Sequence, residues 1–567
     1  MHRSRVRTAM ATGAAVGALL LTSPGAAAPP PPPTASPGTG SSPTSAPTPS
    51  ATGPSVPTPS ATGADDDPLA RFHSRRVRWG RCPDEPVPAE MRCAVVEVPL
   101  DYAAPDKGTV KVALGRIPAT DPDRRIGSLL INFGGPGASG VAGLAADPKS
   151  FADLGERYDL IGFDPRGVGH SDPVSCAGSR ETEIAPDADT ATLLAAVRDA
   201  AAQCRRASGP VLAHMGTVDV ARDMDVIRQV LGDEKLNYLG FSYGSRLGAV
   251  YAAEFPRTTG RMVLDGIDTL TEPMTEQALV LARAQQRALD NFLTWCAHRT
   301  GCVYGTNTRT AKEKVAALVE RLDREPLVGR DGTQLTGFLT AFAIGQALYS
   351  PSAWPVLAKA LALAETEKDP AGLLLLLGLT QSPDPPDPTD PTDPTTSPDP
   401  TAPSTSPDAA QGDGFGPVPA DNGVAALAAV SCADDPDRSI DKVTPAALEK
   451  EFGELEEEFL KVSKVFGPRQ LATLLACYGW PAGTDYIRKI DHPGAPPMLL
   501  VGTRGDPATP YEWTEETAER LGSAVIVDHK GEGHTGFASS PCVREYINEF
   551  LLYGRLPSGT RACVAGE

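Results

Sequence analysis

Ser242 stands at the centre of a glycine-flanked pentapeptide, Gly240-Phe241-Ser242-Tyr243-Gly244. A strand-like run, Asn237 to Leu239, precedes the pentapeptide, and a helix-like run, Arg246 to Glu254, follows it. The glycines permit a sharp turn from strand to helix, which lifts the serine hydroxyl clear of the backbone. The pattern predicts a nucleophilic serine, because an ordinary glycine turn would not require this order of elements.

A serine hydroxyl is a weak nucleophile at neutral pH, so it needs a histidine to accept its proton and a carboxylate to orient the imidazole. The chain contains only eight histidines. His534 lies in the segment GEGHTG at 531–536, after the last strand-like run, and Asp506 directly follows the run LLVGTRG at 499–505. In a serine hydrolase whose partners follow in the order Ser, Asp, His, we expect Asp506 and His534 in these roles.

Other residues compete for the two partner roles. His170 and His214 precede the serine, and neither follows a late strand, so we disfavour both as the base. Asp434 and Asp435 compete for the acid role, as does Glu532, which lies only two residues from the histidine it would have to orient. Asp506 remains the preferred acid.

The segment Asn132-Phe133-Gly134-Gly135-Pro136-Gly137 is rich in glycine and follows a strand-like run. Its backbone can therefore approach a substrate closely and donate to a negatively charged oxygen, a contribution of about 3 kcal/mol per N–H. We expect the oxyanion donors to be the N–H groups of Gly135 and Tyr243. A phosphate-binding loop is the alternative, but the chain lacks the Gly-Lys-Ser/Thr ending that such a loop needs.

Short apolar runs alternate with helix-like runs around these motifs, which predicts an α/β protein with a mostly parallel sheet. The helical spacing of Val220, Met224, Ile227 and Leu231 predicts an amphipathic helix before the serine strand. The runs read as buried strands are Ile126 to Phe133, Tyr158 to Phe163, Leu236 to Leu239, Met262 to Leu264, Met498 to Val501 and Ala524 to Val527.

The chain between the two halves of this sheet has a different pattern. Residues 268–490 contain helix-forming runs and no comparable series of strands, so we predict a mainly helical insertion over the carboxyl edge of the sheet. A segment rich in Pro, Asp and Thr interrupts this insertion near 382–414 and is expected to be disordered. The sheet itself is then divided between residues 69–267 and 491–567.

The amino-terminal sequence has the pattern of a targeting signal. Arg3, Arg5 and Arg7 precede an apolar run from Ala9 to Leu21, and small residues follow, so we predict a signal peptide over residues 1–28. The apolar run is shorter than the roughly 20 residues of a membrane span, so we expect secretion and no stable membrane insertion. Residues 29–68 are predicted to form a disordered linker rich in Pro, Ser and Thr.

The cysteines and the charge narrow the class of protein. Ten cysteines in an exported chain favour disulfides, and the absence of any CxxC spacing argues against a zinc site, so we expect no metal and no cofactor. A formal net charge of −19 makes nucleic acid an unfavourable partner. Proximity alone does not fix connectivity, but the cysteines that are close in sequence are Cys82 and Cys93, Cys176 and Cys204, Cys296 and Cys302, Cys432 and Cys477, and Cys542 and Cys563.

Together these motifs resemble the secreted tripeptidyl aminopeptidases of actinomycetes, relatives of the prolyl iminopeptidases within the α/β-hydrolases. The resemblance covers roughly residue 75 to the C-terminus and includes the segment FDPRGVGHS at 163–171. It implies an α/β-hydrolase fold in which the helical insertion forms a cap, and removal of short peptides, tripeptides above all, from free N-termini. The Gly134-Gly135-Pro136-Gly137 segment is usual in peptidases of the fold, whereas esterases more often carry a histidine followed by glycines.

A free amino terminus is a cation, and burying it is costly unless an acid pairs with it. Candidate acids for this role are Asp268 and Glu272, where the chain leaves the sheet, and Asp434 and Asp435, which follow Cys432.

A secreted carboxylesterase is the alternative function, because peptidases and esterases share the same catalytic groups. A third possible function is that of a binding protein on the same fold without catalytic activity. The oligomeric state stays open.

Overall fold

The structure is a computed structural model that describes residues 68–83, 86–177, 189–269, 272–378, 415–435, 443–481, 490–491 and 493–564. The predicted signal peptide, almost all of the predicted linker and the Pro/Asp/Thr-rich insertion lie outside these residues, so the expectations about them stay predictions. Among the described residues, no helix combines the length and the apolar character needed to cross a membrane.

A nine-stranded sheet forms the centre of the fold, in the order β1-β2-β4-β3-β5-β6-β9-β10-β11. Strand β2 runs antiparallel to its neighbours β1 and β4, and the other neighbouring pairs are parallel. A two-stranded antiparallel pair, β7 and β8, lies apart from this sheet. The strands are β1 (Arg92–Pro99), β2 (Thr109–Ile117), β3 (Gly127–Asn132), β4 (Tyr158–Phe163), β5 (Leu236–Phe241), β6 (Thr259–Asp265), β7 (Leu327–Val328), β8 (Gln334–Leu335), β9 (Leu499–Gly505), β10 (Val525–Glu532) and β11 (Arg561–Val564).

Sixteen α-helices occur in the described parts of the chain, and those between β6 and β9 supply the cap. They are α1 (Ala70–His73), α2 (Gly140–Ala146), α3 (Ala152–Gly155), α4 (Thr190–Ser208), α5 (Thr217–Leu231), α6 (Tyr243–Glu254), α7 (Met274–Ala297), α8 (Thr308–Arg324), α9 (Gly337–Ala347), α10 (Trp354–Thr366), α11 (Ala371–Leu376), α12 (Asn422–Ala433), α13 (Pro445–Val462), α14 (Gly467–Thr473), α15 (Tyr511–Leu521) and α16 (Pro541–Tyr553).

The parallel strands are covered on both faces, which explains their continuous apolar sequences. In β3, Leu130 packs into one apolar core while its neighbours Leu129 and Ile131 pack into the core on the opposite face. Strand β9 repeats this alternation with Leu500 against Leu499 and Val501. The prediction of an α/β fold with a mostly parallel sheet is therefore confirmed.

The cap has an apolar core of its own, separate from the two that cover the sheet. Leu289, Phe292, Leu318, Ile344 and Leu361 meet there from four helices, α7 to α10. This arrangement confirms the predicted mainly helical insertion, with β7 and β8 as its small strand pair.

Helix α12 belongs to the insertion but packs on the sheet layer. Ala425, Ala429 and Val430 join the same apolar core as the strands. Asn422 fixes the start of the helix, because its side chain donates to the carbonyl oxygens of Gly167 and Val174 at 2.8 Å each. The residues that follow α12 are thereby held close to the serine strand.

Five disulfides connect the described cysteines, in the pairs that are close in sequence: Cys82–Cys93, Cys176–Cys204, Cys296–Cys302, Cys432–Cys477 and Cys542–Cys563. Cys432 lies in α12 and Cys477 follows α14, so their bond joins two segments of the insertion.

Candidate active site

Ser242 occupies the turn between β5 and α6. Its φ of 56° and ψ of −125° are unusual for a residue with a side chain and store local strain. The turn is held from below, because the Ser242 N–H donates to the carbonyl oxygen of Asp265 at 2.9 Å. The serine therefore projects from a fixed strand-to-helix turn at the carboxyl edge of the sheet.

Glycine at 134 and at 244 is required by close backbone packing at this turn. A Cβ atom at Gly134 would lie 2.5 Å from the Phe241 carbonyl oxygen and 2.9 Å from the Ser242 Cβ. A Cβ atom at Gly244 would lie 2.7 Å from the Asn132 side-chain oxygen. The glycine-rich loop after β3 thus packs directly against the serine turn.

The two residues predicted to supply oxyanion donors, Gly135 and Tyr243, line the same cavity as Ser242. Tyr243 is the first residue of α6, so its N–H has no acceptor within the helix. Gly135 has a φ of 104° and lines the same cavity as Ser242 and Tyr243. Their role as oxyanion donors stays a prediction.

The buried carboxylate of Asp164 holds the glycine-rich loop in place. It accepts hydrogen bonds from the Ser139 hydroxyl at 2.6 Å, the Val141 N–H at 3.1 Å and the His170 N–H at 3.0 Å. Ser139 and Val141 begin the helix that follows the loop, so Asp164 ties this helix to the segment after β4.

Asp506 and His534 meet in the structure. The His534 Nδ1 atom lies 3.0 Å from each carboxylate oxygen of Asp506. Asp506 is buried and also accepts hydrogen bonds from the N–H groups of Ala508 and Thr509, both at 2.8 Å, and from the Thr509 hydroxyl at 2.9 Å. With Nδ1 facing the carboxylate, the other ring nitrogen, Nε2, is left for proton transfer.

The histidine loop is anchored on both sides. The His534 N–H donates to the Tyr349 carbonyl oxygen at 2.8 Å, and the two rings meet edge to face with centroids 5.0 Å apart. Thr535 adds a hydrogen bond from its N–H to Asp506 at 3.2 Å. The imidazole is thus held between the acid on one side and the cap on the other.

Asp265 is a second buried acid near the histidine, and sequence reasoning missed it. It ends β6 and accepts hydrogen bonds from the N–H groups of Gly536 at 2.8 Å and Phe537 at 2.8 Å. Burial raises the pKa of Asp265 to about 6. The signal available in the sequence was an acid at the end of a buried strand, directly before Gly266.

The environment of His534 favours its protonated form. Burial opposes the charge, but the Asp506 carboxylate outweighs that effect, with smaller contributions from Asp265 and Asp268, so the pKa of His534 is raised.

We expect kcat/KM to fall as the pH drops through a value above 6.5, the ordinary pKa of histidine, because a protonated His534 cannot accept the serine proton. The raised pKa moves this loss to higher pH, whereas an unperturbed histidine would place it near 6.5. A pH profile of kcat/KM from pH 4 to 9 measures the midpoint. An unchanged rate down to pH 4 would contradict a serine–histidine mechanism.

A cavity of about 320 Å³ opens beside Ser242 beneath the cap. Four cap helices each contribute one face to its wall, because their lining residues recur at helical spacing. The lining residues are Met274, Gln277, Leu281 and Gln285 from α7, Phe342, Gly345 and Gln346 from α9, Leu427, Val430 and Ser431 from α12, and Arg469, Gln470 and Thr473 from α14.

One wall of the cavity carries a cluster of buried charges. Arg246, one turn after the serine, lies 3.2 Å from a carboxylate oxygen of Asp268 and 3.6 Å from one of Asp434. Asp434 is also held by the Thr217 N–H at 2.9 Å and the Thr217 hydroxyl. Burial raises the pKa of both carboxyl groups, although the Arg246 charge opposes that effect.

The four acids predicted to bind an amine separate into two groups. Asp268, Asp434 and Asp435 line the cavity. Glu272 instead forms an ion pair with Arg520 at 3.1 Å, away from the cavity lining. We therefore drop Glu272 from the candidates, because its side chain is not part of the cavity lining.

The competing catalytic residues have other partners. Asp434 lines the cavity with Asp435 but contacts Thr217 and Arg246. The His170 Nδ1 atom is 2.9 Å from the Gly416 carbonyl oxygen, and His214 ends a short 3₁₀ helix after α4. Glu532 contacts the Asn291 side-chain amide at 2.9 Å. Across the described ranges, no cluster of three or more His, Cys, Asp or Glu side chains has the arrangement of a metal site.

The sheet order, the strained serine turn and the hydrogen-bonded pair of His534 and Asp506 are those of a serine hydrolase of the α/β-hydrolase fold. Known proteins agree with this class. A family model described as "alpha/beta hydrolase fold" matches residues 127–340, and one described as "TAP-like protein" matches residues 463–563.

The chain belongs to the tripeptidyl aminopeptidase family of serine peptidases. It is 33% identical to "Serine protease Hip1" of Mycobacterium tuberculosis (strain ATCC 25618 / H37Rv), over 86% of this chain and 91% of that protein. It is 30% identical to "Tripeptidyl aminopeptidase" of Streptomyces lividans, over 87% and 88% of the two chains. "Carboxylesterase B" of the same Mycobacterium tuberculosis strain is 32% identical, over 83% and 86%.

Proposed function

We propose that this serine peptidase is an extracellular exopeptidase that releases short peptides, chiefly tripeptides, from the free N-termini of its substrates. The observation that carries the proposal is the capped cavity, which has Ser242 at its base and buried acids in its wall. Two relatives bear the names tripeptidyl aminopeptidase and serine protease, which supports the same chemistry.

In the proposed reaction, Ser242 Oγ attacks the carbonyl carbon of the scissile peptide bond while His534 Nε2 accepts the hydroxyl proton. The N–H groups of Gly135 and Tyr243 stabilise the oxygen that becomes negative. His534 then gives the proton to the leaving amine, and an acyl-enzyme remains on Ser242. Water, activated by the same histidine, releases the peptide. Asp506 keeps the imidazole oriented throughout.

Charge balance supports recognition of the substrate amine in the cavity wall. Arg246 carries one positive charge between two carboxylates, Asp268 and Asp434, and Asp435 lies in the same lining. The three acids outnumber the two arginines of the lining, Arg246 and Arg469, so an incoming ammonium group would complete the balance rather than add an unpaired buried charge. We therefore assign amine binding to Asp268, Asp434 and Asp435.

The size and the roof of the cavity support a short acyl portion. Its volume of about 320 Å³ lies near the lower end of the roughly 300–1,000 Å³ of small-ligand sites. Helices α7, α9, α12 and α14 form the cap side of its wall and would limit the length of chain that extends beyond the amine. This geometry favours release of a few residues over cleavage within a chain.

Export rests on two observations. The first residues have the pattern of a signal peptide, and the described chain contains five disulfides, which persist in oxidising compartments. We propose an extracellular location for the mature enzyme, without a nucleic acid partner.

We expect N-terminal acetylation of a peptide substrate to lower kcat/KM by about 100-fold or more, because the buried acids would then lose their cationic partner. Cleavage of Ala-Ala-Ala-Ala-NH₂ and its acetylated form, followed by mass spectrometry of the products, measures both the effect and the length released. The Asp435→Asn and Asp434→Asn variants should reduce the difference in kcat/KM between the free and the acetylated peptide. Equal turnover of the two peptides would exclude amine recognition.

A carboxylesterase is the second candidate, favoured by the relative named carboxylesterase B at 32% identity. An esterase needs the same serine, histidine and oxyanion donors but no amine site. Comparing a simple acyl ester with the free tetrapeptide amide separates the two functions. A kcat/KM that is higher for the ester and unaffected by Asp434→Asn would favour the esterase.

A further inference from the structure

Arg469 is a cation in the cavity wall that the proposed chemistry does not use. It lies in the short helix α14 and lines the cavity together with Gln470 and Thr473. The amine-binding acids belong to other elements: Asp268 follows β6, and Asp434 and Asp435 follow α12.

The guanidinium group of Arg469 has no anionic partner in the described chain. Its Nε atom is buried and donates to no acceptor there, and no carboxylate of the described residues forms an ion pair with it. Arg246, the other cavity arginine, has two carboxylates at 3.2 and 3.6 Å. Burial without a counter-ion lowers the pKa of Arg469 to about 10. Burying an unpaired charge is costly, so an anionic ligand that pairs with the Arg469 guanidinium group would be favoured.

Aromatic side chains fix the orientation of this guanidinium group. Its central carbon lies 4.7 Å from the centre of the Phe342 ring, within the range of a cation–π interaction. The charge is also close enough to Tyr349 to interact with its hydroxyl electrostatically. Stacking on a ring leaves the edge N–H groups of an arginine available for two parallel bonds to a carboxylate.

The neighbours of Arg469 place it on the histidine side of the cavity. Tyr349 accepts the hydrogen bond from the His534 N–H, and its ring packs against the imidazole. In serine peptidases the histidine gives a proton to the departing amine, so this side receives the leaving portion of the substrate. Two of the proposed amine-binding acids contact Arg246 and not Arg469, so the two charged groups of the cavity are separate among the described residues.

We propose that Arg469 forms a carboxylate-binding subsite for the leaving portion of the peptide substrate, an inference that rests on the exopeptidase function proposed above. The carboxylate is either the free C-terminus of a short peptide or the side chain of an Asp or Glu that follows the cleaved bond. In both cases a bidentate pair with the guanidinium group neutralises the buried charge when substrate binds.

Three tetrapeptides with the same acyl portion separate these sources: Ala-Ala-Ala-Ala-NH₂, Ala-Ala-Ala-Ala-OH and Ala-Ala-Ala-Glu-NH₂. We expect the wild-type enzyme to have a KM about 10-fold lower or more for at least one of the two carboxylate peptides than for the neutral amide. The Arg469→Gln variant should lose this preference, so that its KM values for the three peptides become alike. The Arg469→Lys variant should retain part of it.

The control is Arg283→Gln, which removes an exposed charge from cap helix α7 outside the cavity lining. It should keep the wild-type preference, and thermal unfolding should show that both Gln variants remain folded. A carboxylate preference that is absent from the wild type, or unchanged in Arg469→Gln, would overturn the proposal.

Binding measurements on inactive protein distinguish a failure of the carboxylate subsite from a failure of the proposed exopeptidase function. The Ser242→Ala protein, with and without Arg469→Gln, can be titrated calorimetrically with the same three peptides. If the wild type cleaves none of them, the exopeptidase function fails. The carboxylate subsite still stands if Arg469→Gln abolishes tighter binding of a carboxylate peptide, and falls if the three peptides bind alike.

Discussion

Replacement of Ser242 by Ala is expected to lower kcat by about 10⁶-fold, because the variant has no group that can form the acyl-enzyme. Folding should be unaffected, since only one oxygen is removed at a partly exposed position. Peptide turnover and thermal unfolding measure the two effects separately.

Labelling with a fluorophosphonate identifies the nucleophile directly. Wild-type protein should carry the label at Ser242, and Ser242→Ala should remain unlabelled. Ser431 provides a matched control because it lines the same cavity but follows no strand-to-helix turn. Ser431→Ala should label as wild type does, and a label on another serine in Ser242→Ala would show that the nucleophile is assigned wrongly.

The parts of the site that the sequence predicted are those encoded locally. The glycines around Ser242 require one turn geometry, and the apolar runs of β3 and β4 are continuous because both faces of these strands are buried. The strand Tyr158–Phe163 accordingly agrees with its prediction residue by residue. Local spacing and burial leave little choice in such segments.

The parts that the sequence did not predict depend on contacts between distant elements. Strands β1 and β2 lie at the antiparallel end of the sheet and were not among the strands predicted from continuous apolar runs. The cavity lining includes polar side chains such as Gln277, Gln346 and Gln470, which an apolar stripe does not reveal. Arg469 and Asp265 acquire their surroundings from helices and loops that are remote in sequence.

Two buried acids, Asp506 and Asp265, lie near His534, and substitution of each one tests which of them orients the imidazole. Asp506 contacts the imidazole at 3.0 Å, whereas the Asp265 carboxylate accepts hydrogen bonds from the backbone N–H groups of Gly536 and Phe537. If Asp506 is the orienting acid, Asp506→Asn should lower kcat by about 10⁴-fold, because an amide in its place favours the wrong tautomer of His534.

Asp265→Asn is the matched substitution, and we expect it to lower kcat only about 10-fold, since one oxygen remains to accept a loop N–H. It should also shift the acid limb of kcat/KM to lower pH. The negative charge of Asp265 helps to raise the pKa of His534, so its removal lowers that pKa and keeps the imidazole neutral at more acidic pH. Asp265 is thus a positioning residue, and a structural defect alone would lower the rate without moving the limb. A loss in Asp265→Asn that equals or exceeds the loss in Asp506→Asn would reverse the assignment of the acid.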